Sequence, residues 1–438
     1  MRDLSGYRGR ALEYLKGAKA AIGDVIEVKL EWGTVSGTLV PRYLSADDRH
    51  IVLKLKTGYN VGLDVSRLMG AKVTSKGEKP SFSAPPPPRG RGDLPRVLLL
   101  GTGGTIASRV DYRTGAVHPA VASSDLHALV PELSDVARVD SEILFNVFSE
   151  NLTPLHWSKL ASRVARAVSE GFHGVVVTHG TDTLGYTAAA MSFALRSIPI
   201  PLVLTAAQRS SDRPSTDATL NLIGSVHVAA RGTFSGVYVA VHLDESDERV
   251  AVHTGTRVRK NHTSRRDAFI SVDAPIAAVW GRGGFEHVAD DLPPRGREKQ
   301  FAPKAKFSPR AALLKFYPSM PPSVITSLRR TGTKCLVVEG TGLGHVSSEN
   351  IKALRVFIKS GGIVCMTSQC INGRVDLDVY DTGRDLLGAG VVPLEDMLSE
   401  TAFAKASWAL ANSRSAAEAG RLMGTNLVGE MKDRRFPG

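Results

Sequence analysis

Short, unbroken apolar runs closed by glycine or polar turns recur along the chain from residue 96 onward, with longer helix-spaced stretches between them. Val97–Leu100, Val175–Val177, Ile198–Thr205, Val237–Leu243 and Val250–His253 read as strands, several buried on both faces. Trp157, Leu160, Val164 and Val168 repeat at helical spacing behind Thr153-Pro154. Thr153 suits a cap, Pro154 the first turn and Gly171 the end of that helix. Ala-rich Leu184–Arg196 and then Asp217–Ala230 read as further helices. Beyond a Pro- and Lys-rich boundary at 292–308 the alternation resumes with Ala311–Phe316, Cys335–Val338 and Ile363–Met366 as strands. The pattern predicts a doubly wound α/β body in two domains, 96–298 and 306–438.

The first quarter of the chain is patterned differently. A short helix fits within 4–20, and Val25–Leu30, Gly37–Val40, Ile51–Leu55 and Tyr59–Leu63 are short, partly alternating runs. Turn signals such as Glu31-Trp32-Gly33 and Asp47-Asp48 separate them, which predicts a small β-barrel module over 1–75. The polar stretch Lys72–Leu94 reads as a linker, its Pro/Gly-rich part at 76–95. Pro85–Pro88 followed by Arg89-Gly90-Arg91-Gly92 makes it a semi-rigid, extended spacer.

Composition excludes several classes. Apolar content of 42% and charged content of 22% are ordinary for a globular protein. No apolar run approaches the roughly 20 residues that span a bilayer, and the first residues, Met1 to Tyr7, have no apolar signal core. Cys335, Cys365 and Cys370 lack metal-ligand spacing, and the first two lie in strand-like runs as reduced core residues. The cytoplasm is therefore the expected compartment. The net charge of +12 favours an anionic partner. Residues 1–95 hold 16 Lys and Arg against 10 Asp and Glu, half of that excess in under a quarter of the chain.

Candidate chemistry sits where strands end. Gly101-Thr102-Gly103-Gly104-Thr105 follows the first run, where open α/β sheets place their ligands. Ile106 stands where a dinucleotide fingerprint needs its third glycine, and no Gly-Lys-Ser/Thr follows, so a phosphate loop is disfavoured. Thr178-His179-Gly180-Thr181-Asp182-Thr183 closes a second run, and Arg257-Val258-Arg259-Lys260 supplies a lysine among cations. Two threonines, a carboxylate and a lysine are the parts of a hydroxyl nucleophile activated without histidine or cysteine. Nearby cations and burial are the means by which such a lysine could be tuned toward a base. His179 reads as structural rather than catalytic, and Gly180 allows the tight turn.

Residues 96–438 resemble the L-asparaginase family through Thr102-Gly103-Gly104-Thr105-Ile106-Ala107, His179-Gly180-Thr181-Asp182-Thr183 and the later Lys260, in the family's order. The N-terminal module, the Gln208–Ser215 loop and the Val258-Arg259-Lys260 form resemble its specialised branch, the D-type subunit of the archaeal-type glutamyl-tRNA(Gln) amidotransferase. The resemblance implies Thr105 as primary nucleophile with Thr181, Asp182 and Lys260 as a second cluster. It also implies substrate contacts from Gly104, Gly180, Ser149 and a lid tyrosine, Tyr112. Glu150 replaces the family's common glutamine, and its carboxylate can accept a substrate ammonium. Leu343 stands where asparaginases often carry an asparagine reaching a neighbouring subunit's site, which puts an identical dimer-built pocket in doubt.

The resemblance further implies a glutaminase that passes ammonia to the E-type subunit of the glutamyl-tRNA(Gln) amidotransferase, which would use ATP and Mg to amidate Glu-tRNA(Gln). It implies a homodimer within a heterotetramer, with no metal or cofactor in this chain. Two rivals remain, a free-standing L-asparaginase and a basic RNA-binding adaptor on a dead hydrolase fold. The extra module, linker and loop oppose the first, and the intact Thr105, Thr181, Asp182 and Lys260 oppose the second.

Overall fold

The computed structural model describes residues 4, 6–42, 46–55, 60–77, 93–104, 108–110, 117–119, 132–209, 216–296 and 301–432. A helix, Gly9–Gly17, precedes β1 (Val25–Leu30), β2 (Gly33–Leu39), β3 (His50–Lys54), β4 (Asn60–Asp64) and β5 (Leu68–Ser75). They form an antiparallel sheet in the order β4-β3-β2-β1-β5. The alternating burial of β1 puts Ile26, Val28 and Leu30 inside, against Leu39, Ile51, Leu53, Leu63 and Leu15 of the helix. One core thus serves this antiparallel sheet and its helix. Two expectations need correction. Leu30 pairs with Gly33, so the turn is Glu31-Trp32 alone and β2 starts earlier than its apolar run. Lys72–Ser75 belongs to β5, paired with β1, and is not linker.

The body is built on an eight-stranded sheet. Its strands are β6 (Arg96–Gly101), β9 (Arg138–Ile143), β10 (Gly174–Thr178), β11 (Pro201–Thr205), β12 (Gly236–His242), β13 (Arg249–Thr254), β16 (Ala278–Gly281) and β17 (Gly284–Val288). Short ribbons pair β7 (Ser108–Val110) with β8 (Val117–Pro119), and β14 (Val258–Lys260) with β15 (Phe269–Ser271). The main order is β17-β16-β13-β12-β11-β10-β6-β9. From β9 to β12 the pairing is parallel, and β13, β16 and β17 extend it antiparallel.

The unbroken apolar runs divide between two faces. Leu98, Leu100, Val175 and Val177 pack on one side, and Val97, Leu99 and Val176 on the other. Helices Pro154–Ser169 and Leu184–Ala194 cover the first face, and Ala218–Arg231 the second. Thr153 and His156 close a capping box at the start of the first helix, and Trp157, Leu160 and Val164 are buried as the spacing predicts. Each fully buried branched side chain contributes about 1.5–3 kcal/mol of hydrophobic stabilisation. After β6 the chain steps outward to β9, then returns to add β10 on β6's other side. That reversal opens a crevice at the carboxyl ends of β6 and β10.

The C-terminal sheet is parallel, in the order β18 (Ala311–Lys315), β19 (Cys335–Gly340), β20 (Ile363–Ser368), β21 (Val392–Pro393). Helices Ser323–Arg330 and Ser348–Lys359 pack on one face. Ser399–Asn412 lies on the other, where its residues join the same core as Leu184–Ala194. Cys335 and Cys365 are buried and Cys370 is exposed. Among the described residues no helix is long and apolar enough to cross a membrane.

Within that shared layer Lys405 and Glu430 are both fully buried, with Nζ 2.6 Å from Glu430 Oε1. Lys405 Nζ also donates to Met423 O at 3.0 Å and Thr425 O at 2.6 Å, and Glu430 accepts the amides of Leu427 and Val428. Removing one partner strands the other charge, a loss of about 3–5 kcal/mol. Lys405→Met is therefore expected to lower stability by that amount in thermal or urea unfolding. A loss under about 1 kcal/mol, within the range of an exposed pair, would mean that the buried pair does not hold this segment.

Candidate active site

Gly103 and Gly104 follow β6 with φ of 102° and 84°, values that favour glycine. A Cβ on Gly104 would overlap the Gly180 amide, and one on Gly103 would overlap Val147 O. Thr102 ties the loop down, its amide and hydroxyl donating to Thr178 O at 3.1 and 2.7 Å. Thr105 and Tyr112 lie outside the described residues, as do 210–215 of the Gln208–Ser215 loop. The foot of that loop is described. Buried Asp217 accepts Gln208 N at 2.8 Å and Arg209 N at 3.0 Å.

The second turn is shaped by a buried histidine. His179 Nδ1 donates to Gly180 O at 2.7 Å, and its Nε2 accepts the Thr187 hydroxyl at 2.9 Å. Trp157 Nε1 in turn donates to Thr187 Oγ1 at 3.0 Å. Burial pushes the His179 pKa down to about 4, so the ring is neutral and in the tautomer these partners require. It braces the backbone one residue before Thr181. A Cβ on Gly180 would lie 2.7 Å from Ser149 Oγ, and Thr183 Oγ1 donates to Ser149 O at 2.8 Å. Gly104, Gly180 and Ser149 are thus in mutual proximity. Ser149 is buried, and Glu150 beside it is exposed.

Lys260 arrives from the β14–β15 ribbon. Its Nζ donates to Thr181 Oγ1 and to Asp182 Oδ1, both at 2.8 Å. Thr181 is buried, whereas Asp182 projects into solvent with a side chain 67% exposed. Nζ is the donor in the Thr181 contact; the unprotonated amine is the form that can take the Thr181 proton, with the hydroxyl then donating to Nζ, and an open carboxylate can hold an ammonium. The cations that surround Lys260 in sequence have partners of their own. Arg257 lies 3.0 Å from Asp396, Arg259 3.5 Å from Glu400, Arg265 2.6 Å from Asp267 and Arg266 2.6 Å from Asp247. Each has a carboxylate opposite it, so the run is not a source of concentrated positive field on Lys260. Among the described residues no group of three or more His, Cys, Asp or Glu is placed to hold a metal ion.

Sequence reasoning missed Thr187, Trp157 and Asp217 as supports of the site. Only Asp217, the first residue of a predicted helix, carried a readable signal.

Comparison with known proteins extends these observations. Residues 96–289 match the "Asparaginase, N-terminal" model, and 310–423 match "Glutaminase/Asparaginase C-terminal domain". The thermostable L-asparaginase from Thermococcus kodakarensis superposes with a TM-score of 0.69 at 32% identity, over 77% of this chain and 100% of that one. L-asparaginase I from Vibrio cholerae gives 0.67 at 25% identity, over 77% and 99%. The body therefore has an asparaginase-class fold. Residues 20–73 match the "GatD N-terminal domain" model. The D-type subunit of the glutamyl-tRNA(Gln) amidotransferase of Pyrococcus abyssi is 46% identical over 96% of this chain and 97% of its own, and that of Metallosphaera sedula 46% over 98% and 97%. The chain belongs to the GatD family, the D-type subunits of glutamyl-tRNA(Gln) amidotransferase.

The buried histidines set a pH dependence. His179 and His253 are both held near 4, against about 6.5 in an unfolded chain. Between those values the unfolded state binds protons that the folded state does not, so stability falls as pH drops from 6.5 toward 4. Each group contributes a slope of up to about 1.4 kcal/mol per pH unit. His179→Gln is expected to flatten the acid side of a melting-temperature profile by up to one such increment. An unchanged slope in a folded variant would remove His179 from this account.

Proposed function

We propose that this chain is the glutaminase subunit of a tRNA-dependent amidotransferase. The carrying observation is Lys260, bonded at once to Thr181 and Asp182 beside the Gly104–Gly180 contact. In this reading glutamine binds as its α-amino acid, its ammonium on Asp182 with Glu150 nearby, and Ser149, Gly104, Gly180 and Tyr112 line the site. The Thr105 hydroxyl attacks the side-chain amide carbon with Lys260 as the unprotonated amine of the Thr181–Lys260 pair: the Thr105 proton goes to Thr181 while Thr181 passes its own to Nζ. The tetrahedral intermediate collapses, the C–N bond breaks, and ammonia leaves with a proton returned from that pair. Water then hydrolyses the threonyl ester and frees glutamate.

The family's names supply the acceptor. Ammonia passes to a partner, the E-type subunit, which amidates Glu-tRNA(Gln) with ATP and Mg, in a heterotetramer containing two copies of each chain. The N-terminal module, matched by its own family model, serves docking rather than chemistry. A free-standing L-asparaginase reading is supported by the solved structures but leaves the first 95 residues without a task, since those structures cover 77% of the chain.

Two experiments follow. Thr105→Ala is expected to cut glutamine-dependent amidation of Glu-tRNA(Gln) by ~10⁴-fold or more, while supplied ammonium still supports amidation with ATP and the E-type partner. Wild-type-like ammonia release by that variant would overturn the nucleophile, and no donor-dependent product with the E-type partner would favour the asparaginase. Lys260→Met should lower kcat and reshape its pH profile, whereas Asp182→Asn should chiefly raise KM. Near-normal turnover at every pH in Lys260→Met would take lysine out of the mechanism.

A further inference from the structure

We infer that Arg257 is a positioning residue that fixes Lys260 by fastening its ribbon to the C-terminal segment 426–432; this rests on the role given to Lys260 above. The ribbon needs such a fastening. Along the backbone β14 and β15 pair only with each other, and the contact of Ser271 Oγ with His253 Nδ1 at 2.8 Å is a side-chain tie from β15 to β13. An isolated two-stranded ribbon is marginal in water. Val258 and Phe269 anchor its apolar side in the core, and Gly185 lets Val258 O approach the helix Leu184–Ala194 closely. Those contacts seat one side of the ribbon and leave rotation and slippage along the helix to be settled by polar groups.

Arg257 supplies them at the ribbon's root. It is 1% exposed and directly precedes β14. Its Nη1 donates to Asp396 O at 3.0 Å and lies 3.0 Å from Asp396 Oδ2, and its Nε donates to Gly429 O at 3.2 Å. Its carbonyl accepts Val272 N at 2.9 Å, just beyond β15, so one residue holds both ends of the root. Thr401 Oγ1 adds a bond to Thr256 O at 2.9 Å.

The receiving segment is itself immobilised. Gly429 N donates to Asn426 Oδ1 at 3.0 Å, Glu430 is bound by Lys405, and Lys432 N donates to Asp396 Oδ1 at 2.9 Å. The Asp396 carboxylate therefore joins Arg257 to Lys432. A planar guanidinium with bonds in fixed directions specifies orientation in a way that an apolar residue of equal volume does not. Three residues of extended chain transmit that orientation to Nζ, whose two 2.8 Å contacts tolerate little displacement.

The test compares Arg257→Met, Arg257→Lys and wild type as full-length protein, by amide hydrogen exchange and by glutamine turnover. In Arg257→Met the amides of 258–271 are expected to exchange ~10-fold faster or more than in wild type, with the main sheet unchanged. kcat should fall ~10²-fold while KM stays within about threefold, because Asp182 and Ser149 are untouched. Arg257→Lys should recover part of both. Unchanged ribbon exchange with wild-type kcat in folded Arg257→Met overturns the inference, as does a kcat loss equal to the unfolded fraction. Should Arg257→Met not fold, Asp396→Asn, which spares both carbonyl bonds, is expected to show the same pattern more weakly, and wild-type behaviour there overturns it. If wild type itself releases no ammonia, the glutaminase reading fails, and the exchange comparison still decides the role of Arg257.

Discussion

The site depends on a steric condition: two glycine turns meet backbone to backbone, and the second lies directly against a short serine side chain. Gly104 abuts Gly180, and Gly180 abuts Ser149. A larger residue at Gly104 would push β6's loop off β10's turn, and one at Gly180 would push that turn off the buried Ser149. The switch in strand order provides the crevice, and the two glycines let it close to a size in which a hydroxyl, an amine and a carboxylate converge. The neutral His179 ring then holds the turn from behind by hydrogen bonds that do not depend on charge.

Legibility of the fold followed burial. β6 and β10 are buried on both faces, so they were continuous apolar words in the sequence. β5 was not, since Gly70, Lys72 and Ser75 interrupt a half-exposed strand, and its identity comes from pairing with β1. The lysine ribbon was hidden for a related reason. Three residues, two of them cationic, carry no periodicity, and β14 exists only because β15 and a helix in the core receive it.

The candidate site was legible where its residues are local and illegible where they depend on distant partners. Thr181 and Asp182 stand together in one motif, and Lys260 followed from the family's order. The neutralising carboxylates could not be read, because Asp396 and Glu400 are more than a hundred residues from the arginines they face. A cluster of positive charge in one dimension is thus a set of separate ion pairs in three. Local sequence reports composition, whereas field strength is decided by who sits opposite.

The helix Leu184–Ala194 is apolar on nearly every side, because it lies between the main sheet and helix Ser399–Asn412 of the C-terminal sheet. Such an element has no solvent-facing surface to fall back on if either neighbour departs. The two sheets accordingly share the layer between them, while each keeps a separate core on its other face: loosening one wets the shared layer of the other. The helix that follows the Thr181 turn is therefore packed by both matched domains, and the C-terminal one supplies part of the layer behind the site.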